Sequence, residues 1–344
     1  MLSDIKVSCS PHISGPLSTR RVMVDVIVAL LFPMAAAGYY FRIHAVILIG
    51  TCVVSCAAAE WLCCAIRRKP STLDDFSAVV TGILLALSLP PRIPAWAAVV
   101  GSVFAIAIGK MVFGGLGANV FNPAMVGRAF LTASFGMLMT TWTTPATLDP
   151  NMSRIDRGNI IAAREHVIRG RTQATPLAWS KMAIKRRLGG ETYDDQFFAA
   201  TVTGEVGGCL GETSAIALLM GGAYLLIRRT IGFHIPLAVL LSAFVFAGAA
   251  YLKDSWTYVH PFFHLTSGGL LLGAFFIATD PVTAPLTRRG MWIFGLGVGT
   301  LTMLIRIVGE YPEGVMYAVL LMNAVTPLID RLFRSVPVGG KPNV

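Results

Sequence analysis

The chain has 344 residues, of which 55% are hydrophobic and 13% charged, and its formal net charge is +10. This high share of hydrophobic residues and low share of charged residues exclude an ordinary soluble globular domain. The positive residues lie at the ends of apolar runs, which is the pattern of membrane topology and not of a nucleic-acid partner. The length therefore corresponds to about ten membrane spans of about 20 residues each.

The apolar runs divide the chain into two halves with five predicted spans each. The predicted spans of the first half are Val22–Phe41, Ala45–Ile66, Phe76–Leu89, Ala95–Phe113 and Ala124–Thr141. Those of the second half are Thr213–Ile227, Ile235–Leu252, Leu265–Thr279, Met291–Val308 and Met316–Leu332. The predicted parts are an N-terminal segment 1–21, a first repeat 22–141, a loop 142–211, a second repeat 212–333 and a tail 334–344.

The basic residues predict how the chain is oriented. If the spans alternate in direction, the clusters at 20–21, 67–69, 228–229 and 288–289 and the basic residue at 334 fall on one side. The short loops of the opposite side hold only Arg42, Arg92 and Lys253. Because short cytoplasmic loops are rich in Lys and Arg, we predict that both termini are cytoplasmic. The 142–211 loop is then periplasmic.

The two halves resemble each other around their third spans. Thr81–Pro91 is matched by Ser267–Pro281, and each segment ends at a proline break. Because five spans is an odd number, the second half would have the inverse orientation in the membrane. Inverted repeats with broken helices form a site at their interface, lined by freed backbone groups. A shared Gly- and Leu-rich composition is the alternative explanation of the likeness.

The long polar loop contains the segment Thr172–Leu177, with the sequence Thr-Gln-Ala-Thr-Pro-Leu. Proline disfavours helix in the residue before it, so we expect Thr175 to be extended with its hydroxyl exposed. Proline is favoured at the start of a helix and threonine as its cap, which predicts a helix over Leu177–Arg187 that ends at Gly189 and Gly190. A phosphate on Thr175 would then lie at a helix N-terminus, where anions are favoured. An ordinary capped helix without a modification is the alternative.

Several polar side chains fall within the predicted spans, where charge is costly and marks functional sites. Asp25 lies one turn into the first span and Asp280 at the second proline break, and both are candidates for an ion pathway. Asn119 and Asn122 are three residues apart, so they would share the face of a helical turn. Their amides can hydrogen-bond the carbonyl and imide groups of a flat heterocycle. Capping of broken helix ends is the alternative role.

Cysteine and histidine positions favour packing roles. Cys52 and Cys56 share a helix face, Cys63 and Cys64 lie at its end, and no loop offers the four thiolates of an iron–sulfur site. His260 and His264 lie near aromatic residues and are typical of a membrane-interface belt.

Three further segments carry a resemblance to a known family. The signature of one family of membrane flavoproteins resembles four segments of this chain: the Thr172–Leu177 loop, Asn119–Leu131, Asp75–Gly82 and Ala278–Pro285. Its members are the D subunit of the Rnf ion-translocating oxidoreductase and the B subunit of the sodium-pumping NADH:quinone reductase. The likeness extends over essentially all ten predicted spans, and the short N-terminus is more similar to the Rnf protein. It implies an all-α polytopic fold of two inverted five-helix repeats with broken helices, similar to urea and ammonium channels.

The resemblance also implies cofactors. In this family a threonine carries flavin mononucleotide (FMN) through a phosphoester bond, which a flavin transferase makes from flavin adenine dinucleotide. Thr175 is the matching residue here, although Gln173 stands where the family motif has glycine. A second, non-covalent flavin of the riboflavin type is implied at Asn119, Asn122 and Asp280.

The implied function is that of a protein of the bacterial inner membrane that, within a larger complex, couples electron exchange between ferredoxin and NAD to sodium or proton movement. Its implied partners in the Rnf complex are the external flavoprotein G, the membrane proteins A and E, and the cytoplasmic proteins B and C. Two other classes remain open from the residues alone. A small-solute channel or secondary transporter would have the same repeats, and a purely structural component of a complex would need no flavin.

Overall fold

The computed structural model describes residues 18–142, 175–186, 200–204 and 206–333. Regular structure in this part of the chain is helical, and no strand occurs there. Five of its helices are long and apolar enough to cross a membrane, so the chain is a helical membrane protein. Both termini, Thr172–Ala174, Gly189 and Gly190 lie outside the described residues, as does most of the 142–211 loop.

The helices coincide with the predicted spans. The first half contains α1 Thr19–Phe41, α2 Ile43–Ile66, α3 Ser77–Leu87, α4 Ala95–Ile106, α5 Pro123–Ser134 and α6 Gly136–Met139. The loop contributes α7, Pro176–Arg186. The second half contains α8 Ala215–Ile227, α9 His234–Lys253, α10 Pro261–Thr266, α11 Leu270–Leu272, α12 Arg288–Ile307 and α13 Val315–Leu332. The π-helical turns Ala107–Met111 and Gly273–Ile277 continue α4 and α11.

Five of the ten predicted spans are therefore long continuous helices, namely α1, α2, α9, α12 and α13. The other five are shorter or interrupted. The third predicted span of the second half, for example, is divided between α10 and α11 at Gly268, whose φ of +69° is a left-handed conformation that favours glycine.

Side-chain caps fix where several helices begin. The first turn of a helix has N–H groups without a partner inside the helix, and an oxygen from Ser, Thr or Asn satisfies one of them. Such oxygens accept hydrogen bonds at the starts of α1, α5, α8 and α12, from Ser18, Asn122, Ser214 and Thr287.

The two halves pack in the same pattern. In the first half α2 contacts α3 and α4, and α4 contacts α5. In the second half α9 contacts α10 and α12, and α12 contacts α13. Between the halves, the first helices α1 and α8 pack together, and so do the last helices α5 and α13. These contacts of the first half therefore have counterparts in the second half.

Small residues let these helices approach closely. A Cβ atom added to Gly82 of α3 would lie 2.7 Å from Val53 Cα and 2.9 Å from Val53 N of α2. These are backbone atoms that cannot rotate away, so α3 and α2 touch backbone to backbone. This is how helices pack in membranes, where lipid gives no hydrophobic drive for association.

We expect Gly82→Ala to lower the free energy of unfolding by about 1–3 kcal/mol, because the added methyl group overpacks this contact. The measurement is thermal unfolding of the full chain in detergent, followed by circular dichroism. Gly50→Ala is the matched control, since nothing lies within 4 Å of a Cβ added there. If both variants unfold at the same temperature as the original chain, the close contact does not contribute to stability.

Candidate functional site

A cavity lies between the two halves and brings together three of the predicted site residues. Asn119, Asn122 and Asp280 line it, together with Lys110 and residues near the starts of α1 and α3. We call it the asparagine cavity.

The two asparagines reach this cavity without sharing a helical turn, contrary to our expectation. Helix α5 begins only at Pro123, because proline is accommodated in the first turn, and both asparagines precede it. Asn122 Oδ1 accepts the N–H of Met125 at 3.3 Å as the cap of α5. Asn122 Nδ2 donates to Asp280 Oδ2 at 3.5 Å and so joins the two halves. Asn122 therefore both caps α5 and lines the cavity.

Asn119 has an unsatisfied atom at this cavity. Its Nδ2 donates to Phe121 O at 3.2 Å, whereas its Oδ1 is buried and has no hydrogen-bond partner. An unpaired buried acceptor costs about 1–3 kcal/mol, so such an atom fits a ligand that donates an N–H group.

Asp25 is held beside the asparagine cavity by two partners. Its Oδ1 lies 3.3 Å from Arg228 Nη2, and its Oδ2 accepts the hydroxyl of Thr230 at 3.0 Å. Thr230 itself lines the cavity. Through these two contacts Asp25 links the start of α1 to the end of α8, and Arg228 balances its charge.

A buried ion pair beside the cavity was not predicted from the sequence, which places Lys110 in a span but does not identify its partner. Lys110 Nζ donates to Glu60 Oε2 at 2.7 Å, and both side chains are at most 1% exposed. Lys110 also donates to Ser77 Oγ at 2.6 Å. The sequence feature that could have predicted this pair is a glutamate inside the apolar α2, because an isolated charge there would be too costly to bury.

Thr175 lines a second site, which we call the threonine cleft. Thr175 Oγ1 accepts the N–H of Ala178 at 3.1 Å, so the predicted cap and helix are confirmed, with α7 beginning at Pro176. The expected exposure of Thr175 was wrong, since the residue is only 6% exposed. Leu177 packs against Val259 and Phe263 and holds the start of α7 against the bundle.

Arg306 and Glu313 close the helix break at the floor of this cleft. Arg306 donates to His264 O at 2.7 Å and to Ser267 O at 3.1 Å, which are carbonyls freed at the end of α10. Glu313 Oε2 accepts the N–H of Gly269 at 3.0 Å on the other side of the break. The two side chains also pair with each other, at 3.3 Å.

A second pair lies beside it. Arg128, a charged residue of the fifth predicted span, lies 3.5 Å from Glu212 Oε1 and 3.6 Å from Cys209 Sγ. Glu212 and Glu313 both line the threonine cleft. Since each carboxylate has its own arginine, the cleft floor does not present net negative charge to a phosphate.

Two short helical segments connect the sites. Helix α3 starts at Ser77 in the asparagine cavity, and the carbonyl of Leu87 at its other end accepts the N–H of Gly211 at 2.7 Å, beside the cleft. The α11 segment runs the opposite way, from Gly268 in the cleft to Asp280 in the cavity. Helix α3 has 11 residues and is therefore about 16 Å long, and the asparagine cavity extends along it as far as Leu84.

The sequence profile of the NQR2, RnfD, RnfE family matches residues 6–339. This chain belongs to that family. The D subunit of the Na⁺-translocating ferredoxin:NAD⁺ oxidoreductase complex of Acetobacterium woodii is 44% identical over 335 residues, covering 96% of this chain and 94% of the relative.

Two other relatives in the NQR2, RnfD, RnfE family cover the chain as fully. The D subunit of the proton-translocating ferredoxin:NAD⁺ oxidoreductase complex of Clostridium ljungdahlii is 41% identical, over 97% of this chain and 96% of the relative. The D subunit of the ion-translocating oxidoreductase complex of Stutzerimonas stutzeri is 43% identical, over 95% of each. Overall identity therefore does not distinguish a sodium-translocating from a proton-translocating relative.

We expect Arg306→Met to destabilise the chain by about 3–5 kcal/mol, because Glu313 and two carbonyls lose their buried partner. The double variant Arg306→Met with Glu313→Gln should lose less, since no unpaired charge remains. Thermal unfolding of both variants in detergent measures the difference. Equal stability of the single variant and the original chain would contradict the role of this pair in closing the break.

Proposed function

We propose that this chain is the membrane flavoprotein of an Rnf-type complex that couples electron transfer between ferredoxin and NAD to sodium or proton translocation. Its family membership and the names of its relatives support this function. The observation that carries the flavin sites is the meeting of Asn119, Asn122 and Asp280 in one cavity that contains an unpaired acceptor.

FMN would be attached through a phosphoester to Thr175. Bound there, FMN supplies the redox chemistry, while the protein sets its position and electrostatics. The N-terminus of α7 would favour the phosphate charge, and the arginines behind Glu212 and Glu313 neutralise the cleft floor. Since Thr175 is buried, a flavin transferase would have to modify it before α7 packs against the bundle.

A second flavin, of the riboflavin type, would occupy the asparagine cavity. Asn119 Oδ1 would accept an N–H from the ring system, and Asp280 and the cap of α5 would hold Asn122 in position. Apolar residues of α1 and α3 would cover the ring faces. Asp25 and Asp280 stay our candidates for the ion pathway.

The architecture we propose is ten spans in two inverted repeats, of the urea-transporter type. The matching contacts of the two halves support it, as do the opposite directions of α3 and the α11 segment between the same two sites. The basic residues support an inner-membrane orientation with both termini cytoplasmic and the Thr175 loop periplasmic.

In this orientation, electrons would pass from the external flavoprotein G of the complex to the FMN on Thr175 and then inward to the second flavin. The membrane proteins A and E and the cytoplasmic proteins B and C would complete the path. A small-solute channel is disfavoured because Leu85–Leu87 and Leu270–Ala274 are buried between the sites and fill the path with apolar side chains.

We expect Thr175→Ala to abolish covalent flavin, because the acceptor oxygen is gone. The full chain is co-expressed with a flavin transferase, denatured and examined on a gel for fluorescence, and the mass of the Thr175 peptide is measured. Thr266→Ala, in the same cleft, is the matched control and should stay fluorescent. Absence of flavin from the original chain under these conditions would reject the covalent site and favour a channel or a purely structural role.

We expect Asn119→Ala to lower the content of non-covalent flavin at least tenfold, because the ligand loses its hydrogen-bond acceptor. Flavin retained by the purified chain after denaturation and extraction gives the content. Asn323→Ala is the matched control, since Asn323 is similarly buried but does not line the cavity. Equal flavin content in all three proteins would remove the assignment of the cavity.

A further inference from the structure

We propose that the polar side chains between α2, α3 and α4 form a proton route from the protein surface to the asparagine cavity. This route depends on the proposed flavin in that cavity. It consists of Asp75, Ser77, Lys110, Glu60 and Thr72, and we call it the Lys110 chain.

Its links are all within hydrogen-bond distance. Ser77 Oγ donates to Asp75 Oδ1 at 2.5 Å, and Lys110 Nζ donates to Ser77 Oγ at 2.6 Å. On the other branch, Lys110 Nζ donates to Glu60 Oε2 at 2.7 Å, and Thr72 Oγ1 donates to Glu60 Oε1. Two continuous branches therefore meet at the ammonium group of Lys110.

The two ends of the Lys110 chain lie in different environments. Thr72 is exposed and Asp75 is half-buried, in the turn between α2 and α3. Lys110 is 1% exposed, yet it lines the asparagine cavity. An ammonium group has three N–H donors, and the two branches use two of them. The third is left for a ligand in the cavity.

The proton transfer is balanced as follows. A reduced flavin held in the cavity would supply a basic ring nitrogen, and Lys110 would donate one of its N–H protons to it. A hydronium ion from solution would protonate the Asp75 carboxylate. The Ser77 hydroxyl would then turn from Asp75 to Lys110, give its proton to the lysine amine and take the proton of the Asp75 carboxyl. The net change is one proton moved from solution to the ring, and no electron moves in this step.

Packing alone does not require these groups. A pair of apolar residues would join α2 and α4 at least as well, because desolvation offsets most of the gain from a buried ion pair. Asp75 also caps α3 by accepting the N–H of Ser77 at 2.8 Å, which needs no hydroxyl on Ser77. The hydroxyl is thus not needed for the cap; it accepts from the buried Lys110 and donates to Asp75, and in this way it joins the two groups.

Other polar groups surround the Lys110 chain without interrupting it. Arg67 donates to Met111 O at 2.7 Å beside the π-helical turn that carries Lys110. Cys64 Sγ lies 3.7 Å from Thr72 Oγ1, and Cys56 contacts Ser102 O at 3.9 Å. The thiols and the guanidinium face the route from α2, and Asp75 approaches it from the turn before α3.

A pH jump tests the route. The full chain in nanodiscs is loaded with riboflavin, reduced, freed of reductant under argon at pH 8.5 and mixed to pH 5.5. The absorbance change from anionic to neutral reduced flavin gives the rate of protonation. We expect Ser77→Ala to slow this rate at least tenfold in samples matched for bound riboflavin, because the link between Asp75 and Lys110 is lost.

Further variants keep the test independent of folding. Asp75→Asn should slow protonation similarly, and added formate should restore the rate, which a merely structural role would not allow. Asp74→Asn is the matched control, because its exposed side chain lies in the same turn but outside the Lys110 chain. The double variant Glu60→Gln with Lys110→Met removes both charges together and should be slow as well.

The outcomes separate this inference from the proposed function. If the original chain retains riboflavin but all variants protonate at its rate, the route is wrong and the flavin site stands. If the original chain retains no riboflavin, the flavin site and the route both fail. Slow protonation in Ser77→Ala and Asp75→Asn, with normal rates in Asp74→Asn, supports the route.

Discussion

The pairing of Arg306 with Glu313 is the interaction on which the threonine cleft and the segment below it depend. A helix that stops inside an apolar bundle leaves carbonyl and N–H groups without water, and each would cost several kcal/mol. Arg306 donates hydrogen bonds to the carbonyls of His264 and Ser267, and Glu313 accepts one from the N–H of Gly269. Because the pair satisfies both sides of the break, the chain can turn at Gly268 and begin a new helix toward the asparagine cavity.

The ends of the other broken helices are hydrogen-bonded in different ways, and the groups that bond them lie at the threonine cleft and the asparagine cavity. The carbonyls of Leu87 and Leu89 at the end of α3 accept N–H groups from the segment before α8, which carries Glu212 into the cleft. At the cavity, Asn122 caps α5 and contacts Asp280 in the other half. Residues that hold the broken helices together therefore also line the sites, so variants there affect stability and binding together.

The sequence predicts local features well and distant pairings poorly. Apolar runs locate the helices, and Pro123 and Pro176 mark two helix starts, because these signals depend only on neighbouring residues. Glu60 and Lys110 are 50 residues apart, and nothing in either apolar run specifies the other as its partner. Thr175 was expected to be exposed but is buried, and the helix that follows it is held by contacts of Leu177 with Val259 and Phe263, which no local rule contains.

The short distance between the two sites has an electrical consequence. The hydrocarbon core of a bilayer is about 30 Å thick, whereas α3 is about 16 Å long and the apolar barrier covers only part of it. In the proposed orientation the two sites open to opposite sides, so the membrane voltage would fall across this barrier and the local field would be at least about twofold higher than across the full core. One elementary charge that crosses 100 mV gains or loses about 2.3 kcal/mol, so a single charge moved between cleft and cavity would account for most of that work.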